Sequence, residues 1–70
     1  MKENRNELHI GSCIKSEVER QGKTTVWLAA QLGYTRTSLY RLYKSGTIDT
    51  GILVRICRIM DFNFFSLYQI

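Results

Sequence analysis

Apolar residues recur every three or four positions along most of the chain, and this spacing is typical of helices. In the first segment, about residues 8–21, Ile10, Ile14 and Val18 recur every four residues, and Cys13 widens the apolar stripe. No segment alternates apolar and polar residues over the length of a strand. The pattern therefore predicts an all-α fold.

Four helices and a short fifth one account for the pattern. They are predicted at about 8–21, 24–32, 35–45 and 49–60, with the short fifth helix from about 63. Thr24 or Thr25 can cap the start of the second helix, and Asp49 can cap the fourth. Three glycines follow helical segments, as expected of residues that end helices in the left-handed conformation: Gly22, Gly33 and Gly46.

The third helical segment has two chemically different sides. At 100° per residue, Leu39 and Leu42 fall on one side of the helix. The opposite side carries only cations, hydroxyl groups and hydrogen-bond donors: Arg36, Thr37, Tyr40, Arg41 and Lys44. A solvated helix normally carries pairs of opposite charge four residues apart, and this side has no acid. Periodicity alone leaves open whether it is a solvated surface or a binding face.

The segment from Thr25 to Lys44 has the spacing of a helix-turn-helix. Apolar side chains occupy its fourth, eighth, tenth, fifteenth and eighteenth positions: Leu28, Leu32, Tyr34, Leu39 and Leu42. Ala29 is small enough to let two helices cross closely, and Gly33 can turn the chain without strain. A simple helical hairpin is the alternative, but the basic outer side favours the helix-turn-helix.

From Ile10 to Tyr68 the sequence resembles the phage-repressor/Cro-type helix-turn-helix domain, the XRE family. It is similar to short bacterial members that read LA…LG…R…Y…IDT…L…I…DFF. The resemblance implies a five-helix, lambda-repressor-like bundle whose third helix is the recognition helix. Many members have Gln where this chain has Thr25, Glu near Tyr43, and a Pro in the loop that here reads SGTIDT.

Charge points to the same part of the chain. The 70 residues carry a net charge of +4, and residues 34–58 hold five bases against Asp49 alone. A localised excess of positive charge favours a polyanionic partner. We expect one domain over residues 8–70, after a flexible tail at residues 1–7.

Double-stranded DNA is therefore the expected partner. The side chains predicted to contact base edges are Arg36, Thr37, Tyr40 and Arg41. Those predicted to contact phosphates are Thr24, Thr25, Ser38 and Lys44. Arg55 and Arg58 either extend this footprint or are solvated. A homodimer is expected, because one small domain covers only a half-site.

The remaining residues suggest no other chemistry. Cys13 and Cys57 are expected to be buried free thiols, with a disulfide between them as the alternative. An aromatic cluster near the C-terminus is expected in the core, although part of it could form a dimer contact: Phe62, Phe64, Phe65 and Tyr68. His9 is expected at the start of the first helix without a particular role.

No enzymatic site, metal, cofactor or small-molecule ligand is expected, because the chain lacks a nucleophile–base pair and metal-type spacing. It also has no apolar run of about 18–20 residues and no signal peptide, so a cytoplasmic protein is expected. The alternative function is a protein-interaction module, antitoxin-like or co-regulatory, on the same fold. RNA is a less favoured partner, since a helix does not fit its narrow major groove.

Overall fold

A computed structural model describes residues 8–68, and over this range the chain is helical without strands, which confirms the all-α class. The helices are α1 Ile10–Arg20, α2 Thr25–Leu32, α3 Arg36–Lys44 and α4 Thr50–Met60, followed by a 3₁₀ turn at Phe64–Leu67. The described residues thus hold four α-helices, and the predicted fifth helix is this 3₁₀ turn. The tail predicted at residues 1–7 lies outside the described residues.

Side-chain caps begin the helices close to where the sequence predicts. Thr24, rather than Thr25, caps α2 by accepting a hydrogen bond from the Trp27 amide. Asp49 caps α4 as predicted, through the Ile52 amide. Thr35 caps α3 by accepting from the Ser38 amide, so α3 begins one residue later than the pattern indicates.

Two of the three predicted left-handed glycines are confirmed. Gly22 and Gly33 have φ angles of +73° and +74°. Gly46 has no positive φ, and the prediction for it is wrong: the chain leaves α3 at Ser45 in an extended conformation. The end of α3 needs no left-handed residue, because the first turn of α1 supplies donors to its carbonyl groups, as described below.

All four helices and the 3₁₀ turn contribute to one core. Its buried residues are Ile10, Ile14, Val18, Leu28, Ala29, Leu32, Leu39, Tyr43, Leu53, Ile56, Met60 and Phe64. Helix α3 packs against both α1 and α2, and α2 also packs against α4. The side of α3 that faces away from this core is therefore left at the surface.

The two cysteines are free thiols, but they are half-buried rather than fully buried as predicted. Each lines an open surface groove, Cys13 beside Leu67 and Cys57 beside Phe65, which explains the remaining exposure. Cys57 Sγ also accepts a hydrogen bond from the Phe64 amide at 3.4 Å.

The aromatic cluster divides between core and surface. Phe64 is completely buried, and Phe62 packs edge-to-face against it with 4.7 Å between ring centroids. Phe65 and Tyr68 each remain 40% exposed. The core prediction therefore holds for Phe64, in part for Phe62, and fails for the other two rings.

None of the helices within residues 8–68 has the length and apolar character that a membrane crossing requires.

Candidate nucleic-acid interface

The side of α3 opposite the core is an exposed surface, here called the outer side. Leu39 is fully buried and Tyr43 is 6% exposed, and together they anchor the inner side. The outer side consists of Arg36, Thr37, Tyr40, Arg41 and Lys44, and all five residues are exposed. The structure thus brings together the four predicted base-contacting residues on one accessible surface.

No acid neutralises the cations of this surface within residues 8–68. The ion pair found in this range joins Glu17 and Arg20, both on α1. Arg36, Arg41 and Lys44 form no ion pair with a carboxylate of the described residues. Among the described residues, the positive charge on the outer side is therefore not paired with an acid.

A tight turn fixes the angle between α2 and α3. The Tyr34 amide donates to the Ala29 carbonyl at 2.8 Å, and the Gly33 amide donates to the Ala30 carbonyl at 3.3 Å. This pair of bonds around a left-handed glycine is a Schellman motif. It closes the C-terminal end of α2 and directs the chain into α3 within three residues.

Arg55 reinforces this turn from α4. Its Nη2 donates to the Leu32 carbonyl at 3.0 Å, where a cation also interacts favourably with the negative end of the α2 dipole. Arg55 is exposed, in agreement with the solvated alternative, and its guanidinium also caps α2; a phosphate contact by Arg55 stays a prediction. Arg58 is exposed and lines the groove beside Phe65.

The predicted phosphate-contacting residues lie in different environments. Thr24 and Lys44 are exposed, Thr24 at the N-terminus of α2 and Lys44 at the C-terminus of α3. The Ser38 hydroxyl is exposed but lies 3.0 Å from Thr35 Oγ1. Thr25 is half-buried, and its hydroxyl lies 3.2 Å from that of Tyr43. Thr25 therefore faces α3 and links the two helices.

Tyr43 is a structural residue of the interface that the sequence pattern did not single out. Burial raises the pKa of its phenol, and the hydrogen bond with Thr25 lowers that pKa only in part. The phenol therefore stays protonated at neutral pH. The Tyr40 ring packs edge-on to the Tyr43 ring, with 6.3 Å between centroids, so Tyr43 also helps to place an outer-side residue.

The end of α3 is held by the first turn of α1, through two residues that sequence reasoning missed. His9 Nδ1 accepts from the Ser12 amide at 3.1 Å, so in the neutral ring the proton is on Nε2, which donates to the Lys44 carbonyl at 3.1 Å. The expectation that His9 has no particular role is wrong. It caps α1 and also satisfies a terminal carbonyl of α3.

Gly11 allows this close approach. Its amide donates to the Ser45 carbonyl at 3.1 Å. A Cβ atom at position 11 would clash with the carbonyl oxygens of Leu42, Tyr43 and Ser45. Only glycine leaves room for these backbone groups, and α1 and α3 are consequently fixed relative to each other.

Within residues 8–68 there is no group of three or more His, Cys, Asp or Glu side chains that could hold a metal ion. Comparison with protein-family models, with curated proteins and with solved structures finds no match to this chain.

Proposed function

We propose that the chain is a sequence-specific, double-stranded DNA-binding transcriptional regulator in which α2 and α3 act as a helix-turn-helix. The observation that carries the proposal is the acid-free, exposed outer side of α3, opposite the buried Leu39 and Tyr43. A helix anchored along one side and cationic along the other has the form that enters the major groove.

The dimensions and chemistry of α3 support this docking. A helix with its side chains is about 10–12 Å across, which fits the major-groove width of about 12 Å. Arg36 and Arg41 can each pair with guanine O6 and N7. The Thr37 methyl group and the Tyr40 ring can contact the methyl group of thymine.

Phosphates on either side of the groove would orient α3. Thr24 lies at the N-terminus of α2, where backbone amides and the helix dipole favour an anion. Lys44 lies at the opposite end of the outer side, and Ser38 lies near its edge. These contacts position the domain and carry little sequence information.

A second copy of the chain is the proposed partner for the apolar surface at α4 and the 3₁₀ turn. Val54 and Phe65 remain 36% and 40% exposed there, beside a groove of about 440 Å³ that Arg58 and Asp61 also line. A twofold contact pairs a surface with itself, so Arg58 of one copy can face Asp61 of the other. Light scattering at micromolar concentration should show a dimer that Phe65→Asp dissociates and that Arg58→Asp weakens, with Asp61→Arg restoring it.

The same apolar surface favours the second candidate function, a protein-interaction module that is antitoxin-like or co-regulatory. A different protein would bind there without requiring the cations of α3. The two candidates therefore differ in whether the outer side of α3 is used.

Selection from random duplex DNA at two salt concentrations tests the proposal. The wild-type chain should enrich one sequence, and its log affinity should fall with log salt at a slope of about −4 to −5 if about four to six phosphates are neutralised. The double variant Arg36→Ala/Arg41→Ala, with unchanged thermal stability, should enrich none. Failure of the wild-type chain to enrich any sequence would favour the interaction module.

A further inference from the structure

An open cleft of about 670 Å³ lies between the first turns of α1 and the outer side of α3. The residues that line it are His9, Ser12, Lys15, Tyr40, Tyr43 and Lys44. None of them is an acid, and two are lysines. Because Tyr40 and Lys44 also belong to the outer side of α3, the cleft extends that surface onto α1.

The two sides of this cleft, α1 and α3, are held in fixed positions relative to each other. His9 and Gly11 bind the carbonyl groups of Lys44 and Ser45, and the missing side chain at Gly11 brings the two backbones together. Lys15 follows one turn later on α1. The main-chain positions of Lys15 and Lys44 are therefore set before any ligand arrives, so fewer groups must be ordered on binding.

We propose that this cleft binds one phosphate of the DNA backbone, with Lys15 and Lys44 as its charge partners and the Tyr40 hydroxyl as a further donor. The inference rests on the proposed function and adds α1 to the DNA-binding surface. A backbone phosphate spreads its charge over two oxygen atoms, so two separate ammonium groups can each approach one of them.

Phosphate is favoured here because of the position of the cleft as well as its charge. The sugar–phosphate backbones border the groove that α3 would enter, and the cleft lies directly beside the C-terminal half of α3. His9 adds no competing interaction, since Ser12 and the Lys44 carbonyl occupy both of its ring nitrogens.

Glu19 is the acid that could oppose this role, because it follows Lys15 by four residues on α1. A pair at this spacing can form a salt bridge on a helix surface. Among residues 8–68, Lys15 forms no ion pair with a carboxylate, and Glu19 does not line the cleft itself. Its charge acts on the cleft only at Tyr43, whose pKa is raised by burial and, to a smaller extent, by Glu19. The Lys15 ammonium can thus turn toward the cleft.

The test is the salt dependence of binding to a duplex that carries a single half-site, which separates it from dimer formation. Lys15→Gln should reduce the steepness of the log affinity–log salt slope by about 0.9, the value for one phosphate contact. Lys15→Arg should restore the wild-type slope. Arg20→Gln is the control: it removes the same charge from the same helix, at a side chain that lines a different groove, and should leave the slope unchanged.

A methylphosphonate scan of the same duplex identifies the phosphate. One uncharged substitution should weaken binding of the wild-type chain, and it should weaken binding of Lys15→Gln and of Lys44→Gln less, because each variant retains one of the two charge partners. A Lys15→Gln slope equal to that of Arg20→Gln and of the wild-type chain, with the wild-type chain still binding, would overturn the inference and leave the proposed function standing. Absence of duplex binding by the wild-type chain would overturn both.

Discussion

On the inner side of α3, Leu39 and Tyr43 are buried in the core that this helix shares with its neighbours, whereas the outer side is exposed and carries three cations. The two sides alternate within nine residues of one helix. Substitutions on the inner side should therefore change the stability of the fold, and substitutions on the outer side should change only binding. This separation can be tested residue by residue.

The largest loss of stability is expected from a substitution on the inner side. Leu39→Ala removes a fully buried side chain and should lower the free energy of unfolding by about 3 kcal/mol. Thr37→Ala on the outer side is the control and should change it by no more than about 0.5 kcal/mol. Urea denaturation followed by circular dichroism measures both, and similar losses in the two variants would contradict the assignment of the sides.

A smaller loss is expected where α1 supports the end of α3. Gly11→Ala places a methyl group against three carbonyl oxygens and should cost about 2 kcal/mol of unfolding free energy, because the backbones must move apart. Gly46→Ala is the matched control, since its Cβ would meet only the His9 ring at 3.7 Å. Thermal melts compare the two variants. Equal melting temperatures would show that the close approach of α1 to the end of α3 does not determine stability.

Removing the hydrogen bond that links α2 to α3 should lower the free energy of unfolding by a smaller amount. Tyr43→Phe keeps the ring but removes its hydrogen bond with Thr25, and should cost about 1 kcal/mol. Tyr40→Phe, which alters an exposed phenol, should leave the stability unchanged.

Tyr43 also makes the stability of the fold depend on pH. Its folded-state pKa is raised above the ordinary value of 10.0, so its contribution to stability is present below that pH and is lost as the pH rises through the folded pKa. The wild-type chain should therefore lose stability above about pH 10 more steeply than Tyr43→Phe. Urea titrations at several pH values measure this difference. If the free energy of unfolding of both chains falls equally with pH, Tyr43 is not the source of the pH dependence.

Local patterns predicted much of this architecture. The caps at Thr24 and Asp49, the turn at Gly33 and the two sides of α3 all follow from residue types within a few positions of each other. These features depend on nearest neighbours along the chain, and sequence spacing is informative about them.

Features that depend on distant residues were missed. His9 binds a carbonyl 35 positions away, and the need for glycine at position 11 arises only once α3 lies against α1. The left-handed residue that ends α4 is Asp61, with φ +53°, rather than a glycine. No periodicity in the sequence encodes these contacts, because they are set by the packing of helices on one another.

The most direct test of the outer side is base discrimination. Fluorescence anisotropy would compare the wild-type chain, Arg36→Ala, Arg41→Ala and Lys44→Ala on the selected duplex and on each of its single-base variants. Each arginine variant should lose about 1–3 kcal/mol of discrimination at one base pair, while Lys44→Ala should weaken binding to every sequence alike. Folded arginine variants that still discriminate every base pair as the wild-type chain does would contradict the central claim that the outer side of α3 contacts DNA bases.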